Sequence, residues 1–317
     1  MTGTIPIVDL APLRDGHAGL KVVAEAVGAA CRGAGFFYLR NAAVPPELRA
    51  QVFAAAHRLF GSPPAVKDAV AIARSRHNRG YVGLAVEALD PKRGPDRKEA
   101  FNIGLDLPGN HPDVLADKPF RGVNLWPDLP DFRATLIAYY DAMWRVGVDL
   151  HRAIAVDLGL PEQFFADKLD APMATLRLLH YPAAEPAAAG QLGAGEHTDY
   201  GNLTLLATDE VGGLEIMNRD GSWLPAPVIP DAFLCNIGDC LMRWTNDTYV
   251  STPHRVVNPT GQERYSVAFF LDPNPDAVVA CLPTCTGTTR PQKYPAVRAS
   301  DYLRGRLDAT YTTGGIS

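Results

Sequence analysis

His197 and Asp199 stand two residues apart in the run His197-Thr198-Asp199. In an extended segment such a pair projects to one face, where both side chains can reach the same ion. A third donor, His254, follows 57 residues later, just after Pro253 and ahead of the apolar pair Val256-Val257. Two neutral imidazoles and one carboxylate leave three coordination positions open on one side, an arrangement suited to Fe(II) that must also bind a co-substrate and oxygen. Zinc more often takes three or four such ligands tetrahedrally, so the donor set alone leaves zinc open. A lone His-x-Asp is a frequent coincidence on exposed turns, and its weight depends on what accompanies it.

Arg264-Tyr265-Ser266 lies ten residues after His254. Arg and Ser alternate onto one face of a predicted strand that ends in Ala268-Phe269-Phe270-Leu271. A guanidinium and a hydroxyl pointing inward from an apolar strand need an anionic partner, because a buried unpaired charge costs several kcal/mol. A dicarboxylate meets that need: the Arg fork binds a carboxylate through two parallel bonds and Ser adds a donor, which suits the distal end of 2-oxoglutarate while its 2-oxo acid end chelates iron. The competing reading of Arg264 is an edge-strand salt bridge facing water.

These residues fall in a half of the chain rich in short β-type runs. Leu176–Tyr181, Leu203–Thr208, Leu214–Met217, Phe233–Ile237, His254–Asn258 and Tyr265–Leu271 read as strands, separated by turn signals such as Asp220-Gly221 and Pro259-Thr260-Gly261. Strands so short and so spaced predict a sandwich or barrel, with a jelly roll as the leading form. The first half reads as helical, with apolar residues at helical spacing over Leu20–Cys31, Glu47–Phe60 and Pro130–Leu158, and one strand at Gly35–Leu39. The Ala-, Gly- and Pro-rich stretch Ala183–Gly195 reads as a loop. The expectation is mainly β with flanking helices, in one compact unit: a helical N-terminal region over 1–170 and a metal-binding core over 171–317.

The 317 residues are 47% hydrophobic and 21% charged, the balance of a folded globular chain. A net charge of -5 without dense Lys/Arg runs gives no footprint for nucleic acid or an anionic membrane, so small molecules are the expected partners. Without a signal-like N-terminus or a long apolar span, a cytoplasmic location is expected. The five cysteines form no C-x-x-C pair and read as reduced structural thiols, with Cys281 and Cys285 a remote metal alternative.

The ordered runs Glu196-His-Thr-Asp-Tyr-Gly-Asn-Leu-Thr-Leu-Leu206, Val211-Gly-Gly-Leu214, Asp220-Gly-Ser-Trp223, Asn236-Ile-Gly-Asp239, Thr245-Asn-Asp247, Ser251-Thr-Pro-His-Arg-Val256 and Arg264-Tyr-Ser266 resemble the isopenicillin N synthase-like branch of 2-oxoglutarate/Fe(II) oxygenases. Ile5-Pro-Ile-Val-Asp9, Gly35-Phe-Phe-Tyr-Leu39, Arg79-Gly-Tyr81 and Lys98-Glu-Ala-Phe101 resemble its amino-terminal region, so the likeness spans nearly the whole chain. It implies a distorted double-stranded β-helix with iron held by His197, Asp199 and His254. Arg264 and Ser266 would hold the distal carboxylate of 2-oxoglutarate, and Tyr181 would reach the co-substrate or substrate. Many plant relatives carry Asn two residues before that Tyr, where this chain has Leu179. The implied reaction converts 2-oxoglutarate and O2 to succinate and CO2 while a small organic molecule is hydroxylated, desaturated or cyclised, in a monomer and with no catalytic group beyond the metal ligands. Arg79, Tyr81 and Phe101 are candidates for substrate contact, against a solvated surface position for Arg79 and core positions for Tyr81 and Phe101. Rivals are an isopenicillin N synthase-type oxidase without 2-oxoglutarate, a 1-aminocyclopropane-1-carboxylate oxidase, an ethylene-forming enzyme, and a non-catalytic metal-binding β-barrel.

Overall fold

The computed structural model describes residues 4–87, 96–183, 193–257 and 261–310. The N-terminal half carries β1 (Ile7–Asp9), α1 (Gly16–Arg32), β2 (Phe36–Arg40), α2 (Pro46–Phe60), α3 (Pro64–Asp68), β3 (Gly80–Val82), β4 (Glu99–Ile103), α4 (Pro112–Leu115) and α5 (Phe132–Asp157). The rest carries β5 (Thr175–Tyr181), β6 (Ala194–His197), β7 (Leu203–Thr208), β8 (Leu214–Met217), β9 (Trp223–Pro225), β10 (Phe233–Ile237) and α6 (Asp239–Trp244). It continues with β11 (His254–Val256), β12 (Arg264–Leu271), β13 (Val278–Val279), β14 (Val297–Arg298) and α7 (Ala299–Thr310).

Two sheets face each other as in a jelly roll. The larger runs β1-β2-β10-β7-β12-β5-β4-β3 and the smaller β6-β11-β8-β9. Strand alternation divides the larger sheet into two unlike faces. Phe37, Leu39, Phe101, Ile103, Val267 and Phe269 point to the helical side, where they join Leu20, Val23 and Val27 of α1 and Leu136, Met143 and Leu150 of α5 in the main core. The spacing of those helical residues, three and four apart on α1 and seven apart on α5, gives each helix one apolar stripe, and burying such side chains is worth roughly 1.5–3 kcal/mol apiece. The opposite face carries Phe36, Tyr38, Ala100, Leu179 and Ala268, which meet Leu214, Ile216 and Val256 of the smaller sheet in a second, smaller core. It is beside this second core, between the two sheets, that the predicted metal donors and the Arg264–Ser266 pair come together.

The helices and strands start or stop within a few residues of their predicted positions, and the Asp220-Gly221 turn joins β8 to β9 with Gly221 at φ +82, a conformation that favours glycine. Two differences have physical causes. The N-terminal region contributes four strands as well as helices, and they form both edges of the large sheet: β2 pairs with β10, and β4 with β5. The predicted loop Ala183–Gly195 ends in a strand, because β6 gains its ladder from β11, with His197 opposite His254. Residues 184–192 of that loop, and 259–260 of the predicted turn after β11, lie outside the described residues. No helix among the described residues is long and apolar enough to cross a membrane.

Candidate metal and co-substrate site

The His197–His254 pairing sets the two rings 4.3 Å apart, centroid to centroid. Phe36 meets the His254 ring edge-on from β2. Each imidazole is oriented from behind. His197 Nδ1 lies 2.8 Å from the Gly195 carbonyl and His254 Nδ1 3.2 Å from the Thr252 carbonyl. A carbonyl can only accept, so both Nδ1 atoms carry the proton and both Nε2 lone pairs face inward.

Asp199 faces them across the same gap, its Oδ1 3.9 Å from His197 Nε2 and 3.8 Å from His254 Nε2. Its other oxygen, Oδ2, accepts from Asn236 Nδ2 at 2.7 Å and from the Thr204 hydroxyl. One oxygen is therefore fixed by the protein and the other is left for an ion. Burial alone would raise the Asp199 pKa, but the two histidines and these donors hold it below the usual carboxylate range. Burial, reinforced by His254, pushes His197 down to about 3, so it stays neutral and available as a ligand. The backbone is braced too: Asp239 N donates to Asp199 O at 2.8 Å. A Cβ at Gly238 would sit 2.3 Å from the Gly201 carbonyl, so only glycine allows that approach. The three donor atoms lie within 4.8 Å of one another, and no other such cluster of His, Cys, Asp or Glu occurs among the described residues. Oriented lone pairs and a half-free carboxylate fit a divalent metal with open positions on one side.

The ligands open onto a cavity between the sheets with about 1310 Å³ of empty space, its mouth included. Arg264 and Ser266 also line it. Arg264 is 1% exposed. Its Nε donates to the Gly212 carbonyl at 2.6 Å and Nη1 to Ser266 Oγ at 3.2 Å, while the guanidinium stands 4.8 Å over the Tyr181 ring. Tyr181 is its cross-strand neighbour. No carboxylate among the described residues pairs with Arg264, so the water-facing salt bridge is not what this residue makes. Leu179 lines the same wall, while His180 points the opposite way, between Glu99 and Glu263.

Arg79, Tyr81 and Phe101 are placed elsewhere, which corrects the expectation that they touch substrate. Alternation on β4 turns Phe101 into the helical core against Phe132 and leaves Ala100 on the inter-sheet side. Tyr81 bonds the Glu99 carboxylate. Arg79 is buried rather than solvated: it reaches the Phe120 carbonyl at 3.3 Å, and desolvation lowers its pKa to about 10. The cavity's polar wall comes instead from Asn78, Glu87, Lys98, Arg177 and Asp272, and its outer apolar wall includes Leu303 and Leu307 of α7. Sequence reasoning missed these, as it missed the Asn236 and Thr204 brace. Phe270 and Asp272 continue the Arg264–Ser266 alternation and were within its reach, whereas nothing in the sequence marks α7 as a cavity wall.

Two family models match the chain. One is the non-haem dioxygenase in morphine synthesis N-terminal family, over residues 5–129. The other is the 2OG-Fe(II) oxygenase superfamily, over residues 172–273. The 2-oxoglutarate-Fe(II) type oxidoreductase hxnY of Emericella nidulans is 37% identical over 315 residues, covering 96% of this chain and 90% of that protein. A full-length Neurospora crassa protein, solved in complex with alpha-KG and thymine, superposes with a TM-score of 0.85 at 33% identity over 97% of both chains. A putative 2OG-Fe(II) oxygenase family protein from Caulobacter crescentus reaches 0.86 at 32% identity, over 97% of this chain and 99% of its own. With likeness running through both halves and the oriented His/Asp/His donors in place, the chain belongs to the 2OG-Fe(II) oxygenase superfamily and is an Fe(II)- and 2-oxoglutarate-dependent dioxygenase.

Proposed function

We propose that this dioxygenase oxidises a small organic molecule inside the inter-sheet cavity, with His197, Asp199 and His254 holding iron and Arg264, Ser266 and Tyr181 holding 2-oxoglutarate. The observation that carries the assignment is the buried Arg264 guanidinium, which lines the same cavity as the metal donors and lacks a carboxylate partner among the described residues. Its unused N–H groups and the Ser266 hydroxyl match a carboxylate in number and charge. The neighbouring Tyr181 ring supports the guanidinium from one face. Bound here, iron and 2-oxoglutarate supply the oxygen activation that couples decarboxylation of the co-substrate, to succinate and CO2, to oxidation of a substrate C–H bond. The protein's own share is to orient the donors, to neutralise the co-substrate and to exclude water with α7 and the second core.

The cavity suits a molecule of modest size, and the thymine complex of the Neurospora crassa relative supports that scale. Thr175, Arg177, Tyr200 and Phe270 are among the side chains that line the cavity and could contact the substrate. Free thiols, four of the five buried, favour a reducing compartment such as the cytoplasm.

Anaerobic protein given Fe(II) and 2-oxoglutarate should develop the weak visible metal-to-ligand charge-transfer band of a chelated 2-oxo acid, and should release succinate once air is admitted. Iron binding without the band would move the chain to the oxidases that work without 2-oxoglutarate.

A further inference from the structure

We propose that Asp272 anchors the substrate through a positively charged nitrogen, so that the molecules oxidised here carry a protonated amine, amidine or N-heterocycle. The inference rests on iron and 2-oxoglutarate occupying the site as described above.

Arg264, Ser266, Ala268 and Phe270 form one row on the cavity side of β12, and Asp272 lies two residues further along the same alternation. The row thus runs from the co-substrate's carboxylate pair towards Leu303 and Leu307 of α7, which share the cavity wall with Asp272. Asp272 is 5% exposed, yet its carboxylate receives no hydrogen bond and no ion pair from any described residue. Gly201 packs closely against one side of it, where a Cβ would come within 2.7 Å of Asp272 Oδ1, and the cavity lies on another side. A carboxylate kept in such a place is costly unless something binds it.

The other charges on the cavity wall are matched. Glu87 contacts Arg177 and lies 3.6 Å from Lys98, which also pairs with Asp96. Asp199 and Arg264 are balanced by Fe(II) and the two carboxylates of 2-oxoglutarate, whose charges together cancel. Among the described residues lining the cavity, Asp272 is then the one acid with no cation beside it, and a cationic ligand would hold it in the ionised form. Burial, with Asp199 adding repulsion, pushes the Asp272 pKa up to about 7 in the absence of that partner. An N–H donor with positive charge satisfies the carboxylate by a charge-assisted bond, whereas an anion meets repulsion.

Benzamidine, benzamide and benzoate have nearly the same shape and differ in charge, which makes them suitable probes. Their affinities would be measured calorimetrically on the full chain loaded anaerobically with Fe(II) and 2-oxoglutarate. Benzamidinium should bind at least about tenfold more tightly than benzamide, with benzoate weakest, as expected for one charge-assisted hydrogen bond. Asp272→Asn should reduce the preference over benzamide to within about twofold, and Asp272→Ser provides a second variant should the first fail to fold. The charge-transfer band, recorded on the same samples, reports the co-substrate site separately, so its loss would count against that site and not against Asp272. Equal binding of benzamide or benzoate to the wild type, no binding of benzamidinium at millimolar concentration, or a preference that survives in a variant with an intact band would overturn the proposal.

Discussion

Replacing Arg264 with Leu should uncouple the stability of the protein from its affinity for 2-oxoglutarate. The guanidinium commits its Nε–H to the Gly212 carbonyl and one Nη1 hydrogen to Ser266. Three N–H bonds remain, enough for two charge-assisted hydrogen bonds to a carboxylate, each worth about 1.5–3 kcal/mol. Allowing for non-additivity, the loss is about 3–4 kcal/mol, or a dissociation constant raised roughly 10²- to 10³-fold. The ligand-free protein behaves differently. Leu removes a buried charge that has no carboxylate partner, a gain that offsets the orphaned Gly212 carbonyl, so its melting temperature should stay within a few degrees of wild type. Thermal unfolding under argon with Fe(II) tests both halves. At 100 times its dissociation constant 2-oxoglutarate stabilises the wild type by about 2.7 kcal/mol, which is about 4 °C for a chain of this size. At the same concentration the variant, weakened about 100-fold, gains only about 0.4 kcal/mol and moves by less than about 1 °C. A variant that keeps the full 2-oxoglutarate shift would refute the assignment. So would a large fall in the melting temperature of the ligand-free variant, which would make Arg264 a structural residue instead.

Asn236→Ala deprives Asp199 Oδ2 of its 2.7 Å donor and frees the carboxylate to turn, so Fe(II) affinity in a chelator competition should drop about 10- to 100-fold; unchanged affinity would mean that the brace is idle. His151, 1% exposed on α5, has Nδ1 2.8 Å from the Gly147 carbonyl and Nε2 3.0 Å from Asn202 Nδ2, which requires the neutral ring. Burial lowers its pKa to about 4, so the unfolded chain binds the extra proton first as pH falls below about 6.5. Its contribution is present above that pH and declines towards pH 4, by up to about 3 kcal/mol. Urea unfolding across that range should show this slope in the wild type and a flatter one in His151→Gln; parallel slopes would exclude His151 as the cause.

The sequence was most legible where two-residue alternation and turn chemistry agree. The runs Leu203–Thr208, Leu214–Met217 and Phe233–Ile237 became β7, β8 and β10 with the same limits, since each presents apolar residues bounded by polar or turn residues. The same period of two brought His197 with Asp199 and Arg264 with Ser266. It was not applied to β4, where it would have sent Phe101 to the helical side, nor carried past Ser266 to Phe270 and Asp272. What lay out of reach depends on distant pairing. The β6 strand has Ala194 and Gly195 at its start and no strand propensity of its own, and it exists because β11 lies beside it. Arg79, which reads as a solvated residue, is buried because the chain at Gly104 and Phe120 closes around it. Leu303 and Leu307 became cavity wall only once α7 had come to rest against the inter-sheet mouth.

Both edges of the large sheet come from the first third of the chain, while its centre is made last. β2, at residues 36–40, is hydrogen-bonded only to β1 and to β10, nearly 200 residues later, and β4 waits for β5. On the ribosome, then, the earliest strands emerge with their edges unsatisfied and remain so until residues 175–271 have followed. During that interval the helices α1, α2 and α5 are, among the described residues, the sizeable elements able to form from local contacts, and their apolar stripes have no completed sheet to cover. On this topology the early strands gain their central partners only when β12 pairs with β7 and β5, the same event that brings Arg264 opposite Tyr181 in the proposed co-substrate pocket.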